Sequence, residues 1–159
     1  MNKRNLIPKI FDVRGKNFVL TGSSGTLGKQ YSHFLSSVGA NMILIDIDNV
    51  ENLKLEKELI KKYKTKPKAY STDISNQENV KRICTSIVLK YGTIDGLINN
   101  AGFTTTFAKK QKTKSYSISL EKFPLELWDK TLAVNLTGAF LCSQEFGSIM
   151  AKRKKGVIV

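Results

Sequence analysis

Thr21-Gly22-Ser23-Ser24-Gly25-Thr26-Leu27-Gly28 is the stretch whose residue types and spacing could do chemistry. It follows an apolar run, Asn17-Phe18-Val19-Leu20-Thr21, and opens a segment of helical period. A strand that turns through glycines into a helix aims backbone N–H groups and the positive helix end at one spot, where a pyrophosphate fits. Gly22 can supply the tight turn, Gly25 lets the backbone approach a phosphate without a Cβ, and Gly28 lets the helix pack closely on the sheet. Ser23, Ser24 and Thr26 would add hydroxyl donors. Asp46 closes the next apolar run, about 20 residues beyond the turn, where a ribose ligand is expected. A carboxylate there accepts hydrogen bonds from a ribose diol and repels a 2′-phosphate, so the pattern predicts NAD rather than NADP. Asp48 is a second carboxylate that could stand in, and a solvated strand-end aspartate is the plain alternative.

The elements that must position these residues follow from periodicity. Apolar β-type runs alternate with helix-period runs, the pattern of a parallel sheet with crossover helices. Strands are expected over 17–21, 42–46, 68–72 and 95–99, with a fifth opening at Gly156-Val157-Ile158-Val159. The first helix is expected to turn Leu27, Tyr31, Phe34, Leu35 and Val38 inward and to end at Gly39. A second helix over Val50 to Tyr63 is expected to bury Leu53, Leu55 and Leu59-Ile60. A third, Asn76 to Tyr91, should bury Val80, Ile83-Cys84, Ile87-Val88 and Tyr91. A last helix begins near Pro124, a residue suited to a first turn, and runs with a break to about Met150. The implied fold class is α/β, a doubly wound parallel sheet of the Rossmann type that stops at about the fifth strand, as one domain over residues 1–159. Because the sequence stops inside an apolar run, a fragment is expected, and a natural short chain is the alternative.

Bulk properties bound the remaining options. Lys and Arg total 26 against 13 Asp and Glu, a net charge of +13. The basic residues are spread along the chain, and its densest runs, 109–114 and 152–155, have no interleaved aromatic residues. They read as solvated surface rather than as a nucleic-acid platform. No apolar stretch of membrane-spanning length occurs, and the lead-in from Met1 to Lys16 has no apolar core of signal type, so a cytoplasmic protein is expected. Cys84 and Cys142 sit in helix-like apolar patterns and read as small buried residues. No metal-ligand spacing is present. His33, on the first crossover helix, reads as a surface or packing residue.

In order along the chain, these motifs resemble the short-chain dehydrogenases/reductases. Phe11-Asp12-Val13-Arg14-Gly15-Lys16 is similar to the family's lead-in to the first strand. Asp73-Ile74 matches the position that meets the adenine. Asn99-Asn100-Ala101-Gly102 matches the motif that stabilises the sheet and lines the cofactor with Asn100, Ala101 and Gly102. Val134-Asn135-Leu136-Thr137-Gly138 matches the segment bearing the family's active-site asparagine. By that resemblance Asn135 kinks its helix and holds a water of a proton relay, against a plain structural asparagine. The glycine spacing departs from the commoner pattern, which has Gly where this chain has Thr26. The family's catalytic Ser and Tyr-x-x-x-Lys are absent: none of Tyr31, Tyr63, Tyr70, Tyr91 and Tyr116 is followed by Lys four residues later. The 159 residues by themselves should therefore not transfer hydride.

The resemblance implies an NAD-dependent oxidoreductase acting on an alcohol or ketone, and a homo-oligomer packed through the helix from Asn135 to Met150. The run from Phe123 through Ser143 is similar to a subgroup of bacterial surface-sugar biosynthesis, which implies a sugar or sugar-nucleotide substrate. The polar stretch from Phe103 to Lys122 is expected to form a flap on the substrate side. The alternatives are a non-catalytic dinucleotide-binding module and a basic interaction protein on the same frame.

Overall fold

The computed structural model describes residues 12–104 and 118–159. Five parallel strands, β1 (Asn17–Thr21), β2 (Asn41–Asp46), β3 (Lys68–Ser71), β4 (Gly96–Ile98) and β5 (Val157–Ile158), lie in the order β3-β2-β1-β4-β5. β1 is buried along its whole length, as a strand covered on both faces must be, which is why its sequence is a continuous apolar run. The chain passes from β1 to β2 on one side, while β4 lies on the other. The sheet order therefore reverses at β1, and a crevice opens beyond the carboxyl ends of β1 and β4.

Helices α1 (Thr26–Ser37) and α2 (Asn49–Tyr63) cover one face, and α3 (Gln77–Tyr91) covers the other. The last helical stretch is three pieces in series: α4 (Leu125–Leu132), a π-helical segment over Ala133–Gly138, and α5 (Ala139–Lys152). The expected break is thus a widened turn rather than an interruption. Asp48 caps α2 by accepting the Glu51 N–H at 3.0 Å, and Asn76 caps α3 by accepting the Asn79 N–H at 3.0 Å.

Register assigns the two cores. Val19, Ile43 and Leu97 face α3 and α5, where Ile83, Ile87, Cys142 and Phe146 close the larger cluster. Phe18, Leu20, Met42 and Leu44 face α1 and α2. The inward set expected for α3 is the observed one, with Val88 and Tyr91 half-buried at its margin, and both cysteines are buried.

The inner faces of α1 and α2 differ from expectation. α1 buries Gly28, Ser32 and Ser36, with Leu35 half-buried, while Leu27 and Phe34 are 59% and 66% exposed and Tyr31 is exposed too. A Cβ on Gly28 would lie 2.1 Å from the Gly22 carbonyl oxygen, so α1 sits too close to the turn for large side chains on that side. Lys29 and His33 reach α2, pairing with Glu51 and with Tyr63 and Glu58. At 100° per residue, Leu27, Tyr31 and Phe34 then fall on the flank of α1 away from α2, toward β4 and β5. On α2 the buried residues are Asn52, Leu55 and Leu59, while Leu53 and Ile60 are exposed. His33 is a packing residue between two helices, as expected. Among the described residues no helix is long and apolar enough to cross a membrane, and no cluster of His, Cys, Asp or Glu could hold a metal ion.

Candidate functional site

The crevice is floored by two loops in close contact. Thr21, at the end of β1, accepts the Asn100 and Ala101 N–H groups on its Oγ1 at 3.1 and 3.0 Å. The Asn100 amide returns two donations, to the Thr21 and Gly22 carbonyls, both at 3.0 Å. Gly22 takes φ +64, and a Cβ on it would lie 2.7 Å from the Ala101 Cα. Only glycine meets both conditions, so Gly22 and Ala101 jointly fix the gap between the loops.

Beyond the turn the amino end of α1 is open. Gly25 is its N-cap in an extended conformation, with no side-chain cap and no acidic residue in the first turn. The first helix-closing bond is Lys29 N–H to the Gly25 carbonyl at 2.9 Å. The N–H groups of Thr26, Leu27 and Gly28 therefore precede the helical ladder, and the positive helix end faces the crevice. Gly25 adds no side chain at this end, and Gly28 lets α1 close against the Gly22 and Ser23 carbonyls of the turn. An uncapped helix end of this kind could hold an anion such as the diphosphate of a dinucleotide, and it forms a candidate cradle.

Asp46 stands at the rim of this cradle. Its Oδ2 accepts the Ser24 N–H at 2.8 Å and its Oδ1 accepts the Asp48 N–H at 3.0 Å. The carboxylate therefore faces the glycine turn, and Asp48 is turned away to cap α2. An acidic group at this rim offers acceptors to a diol and opposes a second phosphate.

The other expected site residues have these surroundings. Ser23 does not offer its hydroxyl to the crevice. It is fully buried, and its Oγ donates to Asn52 Oδ1 at 2.7 Å while its N–H meets the Ile45 carbonyl. Asp73 accepts the Ser75 N–H and hydroxyl at 2.9 and 2.7 Å, forming a local turn after β3. Ile74 is buried against the larger core, where a Cβ on Gly138 would come within 2.8 Å of it. Asn135 lies in the π-helical segment, as a kinking residue would. Its side chain is engaged twice by the chain after β4, accepting the Phe103 N–H at 2.6 Å and donating to the Phe103 carbonyl at 3.1 Å. Lys130 places its ammonium 4.8 Å from the centre of the Phe103 ring. Most of the expected flap, residues 105–117, lies outside the described residues.

Two residues of the site went unread in the sequence. Thr21 opens the glycine stretch with no role of its own in that pattern, yet its hydroxyl ties the two loops. Asn52 was passed over among the leucines of α2, although its helical spacing from Leu55 and Leu59 put it on their face. A shallow depression bounded by Gly147, Met150, Lys154, Gly156 and Ile158 lies near the start of β5, at the other end of the sheet from the cradle.

Known proteins resemble this chain in sequence and in fold. The family model described as short chain dehydrogenase matches residues 16–159. The chain is 34% identical over 151 residues to an NAD-dependent glycerol dehydrogenase of Listeria innocua, covering 95% of this chain and 54% of that protein. It is 27% identical over 150 residues to a sorbose reductase of Candida albicans, covering 94% of this chain and 50% of the relative. Among solved structures, a crystal structure of NAD+-bound xylitol dehydrogenase superposes with a TM-score of 0.81 at 25% identity, over 92% of this chain and 52% of that one. A metagenomic short-chain oxidoreductase in complex with NADP also superposes with a TM-score of 0.81 at 25% identity, over 92% of this chain and 62% of that one. The chain thus spans about half the length of the curated relatives it matches.

Proposed function

The chain belongs to the short-chain dehydrogenase family, and from that premise we propose that it forms the NAD-binding part of an oxidoreductase acting on a polyol, sugar or related alcohol–ketone pair. The observation that carries the reading is the Asp46 carboxylate, held 2.8 Å from the Ser24 N–H at the edge of an uncapped helix end. The N–H groups at the start of α1 would hold the diphosphate, with Gly25 adding no side chain there and Gly22 and Gly28 shaping the turn. Ser24, Thr26 and Leu27 would line the turn, and Asp46 would hold the adenosine ribose. Ile74 and Asp73, beyond β3, would border the adenine, and Asn100, Ala101 and Gly102 would run beneath the nicotinamide half.

The nicotinamide, once bound, is the group that accepts or donates hydride. The residues of this chain bind and orient it, and they keep the floor of the crevice rigid through Thr21 and Asn100. Asn135 fixes the backbone at Phe103, directly after Asn100, Ala101 and Gly102. Proton transfer to the substrate oxygen calls for a Tyr-x-x-x-Lys pair, which the 159 residues do not contain.

The preference for NAD rests on Asp46, since the relatives include both an NAD-dependent enzyme and an NADP complex. The polyol or sugar substrate draws on the glycerol, sorbose and xylitol named for three similar proteins. A second copy of the protein is proposed to cover an exposed stripe on the last helical stretch, where Trp128, Leu132, Leu136 and Phe140 recur every fourth residue. Calorimetric titration with NAD and NADP tests the cofactor: NAD should bind more tightly, and Asp46→Ala should lose most of that preference. Tighter NADP binding in the parent, or no binding of either, would overturn the assignment. NAD binding without turnover of glycerol, xylitol or sorbose in the complete protein would instead favour a non-catalytic dinucleotide module.

A further inference from the structure

α2 carries a fully buried amide, Asn52, that no step above uses. Its Nδ2 donates to the carbonyls of Leu44 in β2 and Tyr70 in β3, both at 3.1 Å. Two carbonyls can be met only by the amino group, so Oδ1 must point the other way, at the Ser23 hydroxyl 2.7 Å off. Ser23 is buried as well, and with Oδ1 as its neighbour its hydroxyl has to be the donor. Every polar atom of Asn52 is thus committed, and the orientation of the amide is fixed by its neighbours.

The bond from Ser23 to Asn52 closes a ring around Asp46. Ser24 N–H donates to one carboxylate oxygen of Asp46 and Asp48 N–H to the other. Asn52 N–H donates to the Asp48 carbonyl at 3.0 Å. Asn52 Oδ1 then returns to Ser23, the residue before Ser24. The carboxylate is held from the turn on one side and from the start of α2 on the other, and the Ser23–Asn52 bond sets the distance between those two supports.

We propose that Asn52 is a positioning residue for the cofactor: through Ser23 it holds the glycine turn at the spacing from β2 that aims Asp46 at the adenosine ribose. The inference rests on the cofactor reading above and deepens it. Asn52 touches no part of a bound dinucleotide. Its effect falls on the contact that distinguishes a free ribose diol from a 2′-phosphate, so it acts on cofactor preference as well as on stability.

The test uses Ser23→Ala, Asn52→Leu and the double variant, with NAD and NADP titrated into each and thermal melting recorded in parallel. Each single variant should bind NAD about tenfold more weakly, equivalent to about 1.4 kcal/mol, the scale of one buried hydrogen bond left unmade. NADP binding should fall much less, so the preference narrows. The double variant should lose less than the sum of the two singles, since both break one bond. If Asn52→Leu does not fold, the smaller change Ser23→Ala decides alone. A variant that melts within about 3 °C of the parent yet keeps the parental NAD-to-NADP ratio overturns the proposal. A parent that binds neither cofactor overturns the function reading instead, so the two failures are told apart.

Discussion

Gly28 has the least latitude of any residue in the site. A methyl group there would meet the Gly22 and Ser23 carbonyl oxygens at 2.1 and 2.7 Å, and both belong to the rigid turn. Gly28→Ala should therefore push α1 off the sheet, costing about 1–3 kcal/mol as overpacking does, and should abolish NAD binding. Urea denaturation and calorimetry measure the two effects. The cysteines make a different test. Burial pushes the Cys84 thiol up to about 11 and the Cys142 thiol up to about 12. Both stay protonated at neutral pH, so a thiol reagent should label them slowly in the native protein and fast in denaturant. Unfolded thiols ionise near pH 9, below the folded values. The unfolded state thus binds fewer protons above pH 9, and stability should fall from there through about pH 12. Denaturant midpoints measured at pH 8 and pH 10 check that sign.

Among the elements, the π-helical turn between α4 and α5 is coupled most directly to the chain that follows β4. It widens the helix where Asn135 must turn aside and pair with both backbone groups of Phe103. Asn135→Ala should remove both of these exposed bonds, costing about 0.5–1.5 kcal/mol. Hydrogen exchange should then speed up at the Phe103 amide while the α3 amides keep their protection. Protection unchanged at Phe103 would show that the pairing holds nothing in place. α1 shows how an element can be foreseen while its orientation is not. Its extent followed from the glycine turn and the helical period, yet Leu27, Tyr31 and Phe34 turned out on its flank rather than beneath it. Periodicity reports that apolar residues share a face, and how near the sheet lies decides which face turns inward. Asn52 shows the converse, a polar residue placed inside because two strand carbonyls and a serine hydroxyl meet there.

For the whole molecule, the exposed apolar surface is as informative as the buried core. The flank of α1, the outer residues of β5 and the stripe from Trp128 to Phe140 are all exposed. Surfaces of this kind mark contact sites. Leu136→Glu combined with Phe140→Glu should shift the protein toward monomer in sedimentation velocity, with the NAD affinity retained. An unchanged mass would remove that stripe as the interface. The sequence by itself determined the alternation of strands and helices, the five-strand parallel sheet, the glycine turn and the carboxylate that follows it. These are local signals: side-chain period, turn chemistry and the short reach between neighbouring elements. Only the tertiary structure decided that Ser23 faces inward to Asn52, that Asn135 holds Phe103, and that Asp48 turns away to cap α2. The first two depend on which groups from distant segments arrive within hydrogen-bond distance, and a list of residues in order does not contain that distance.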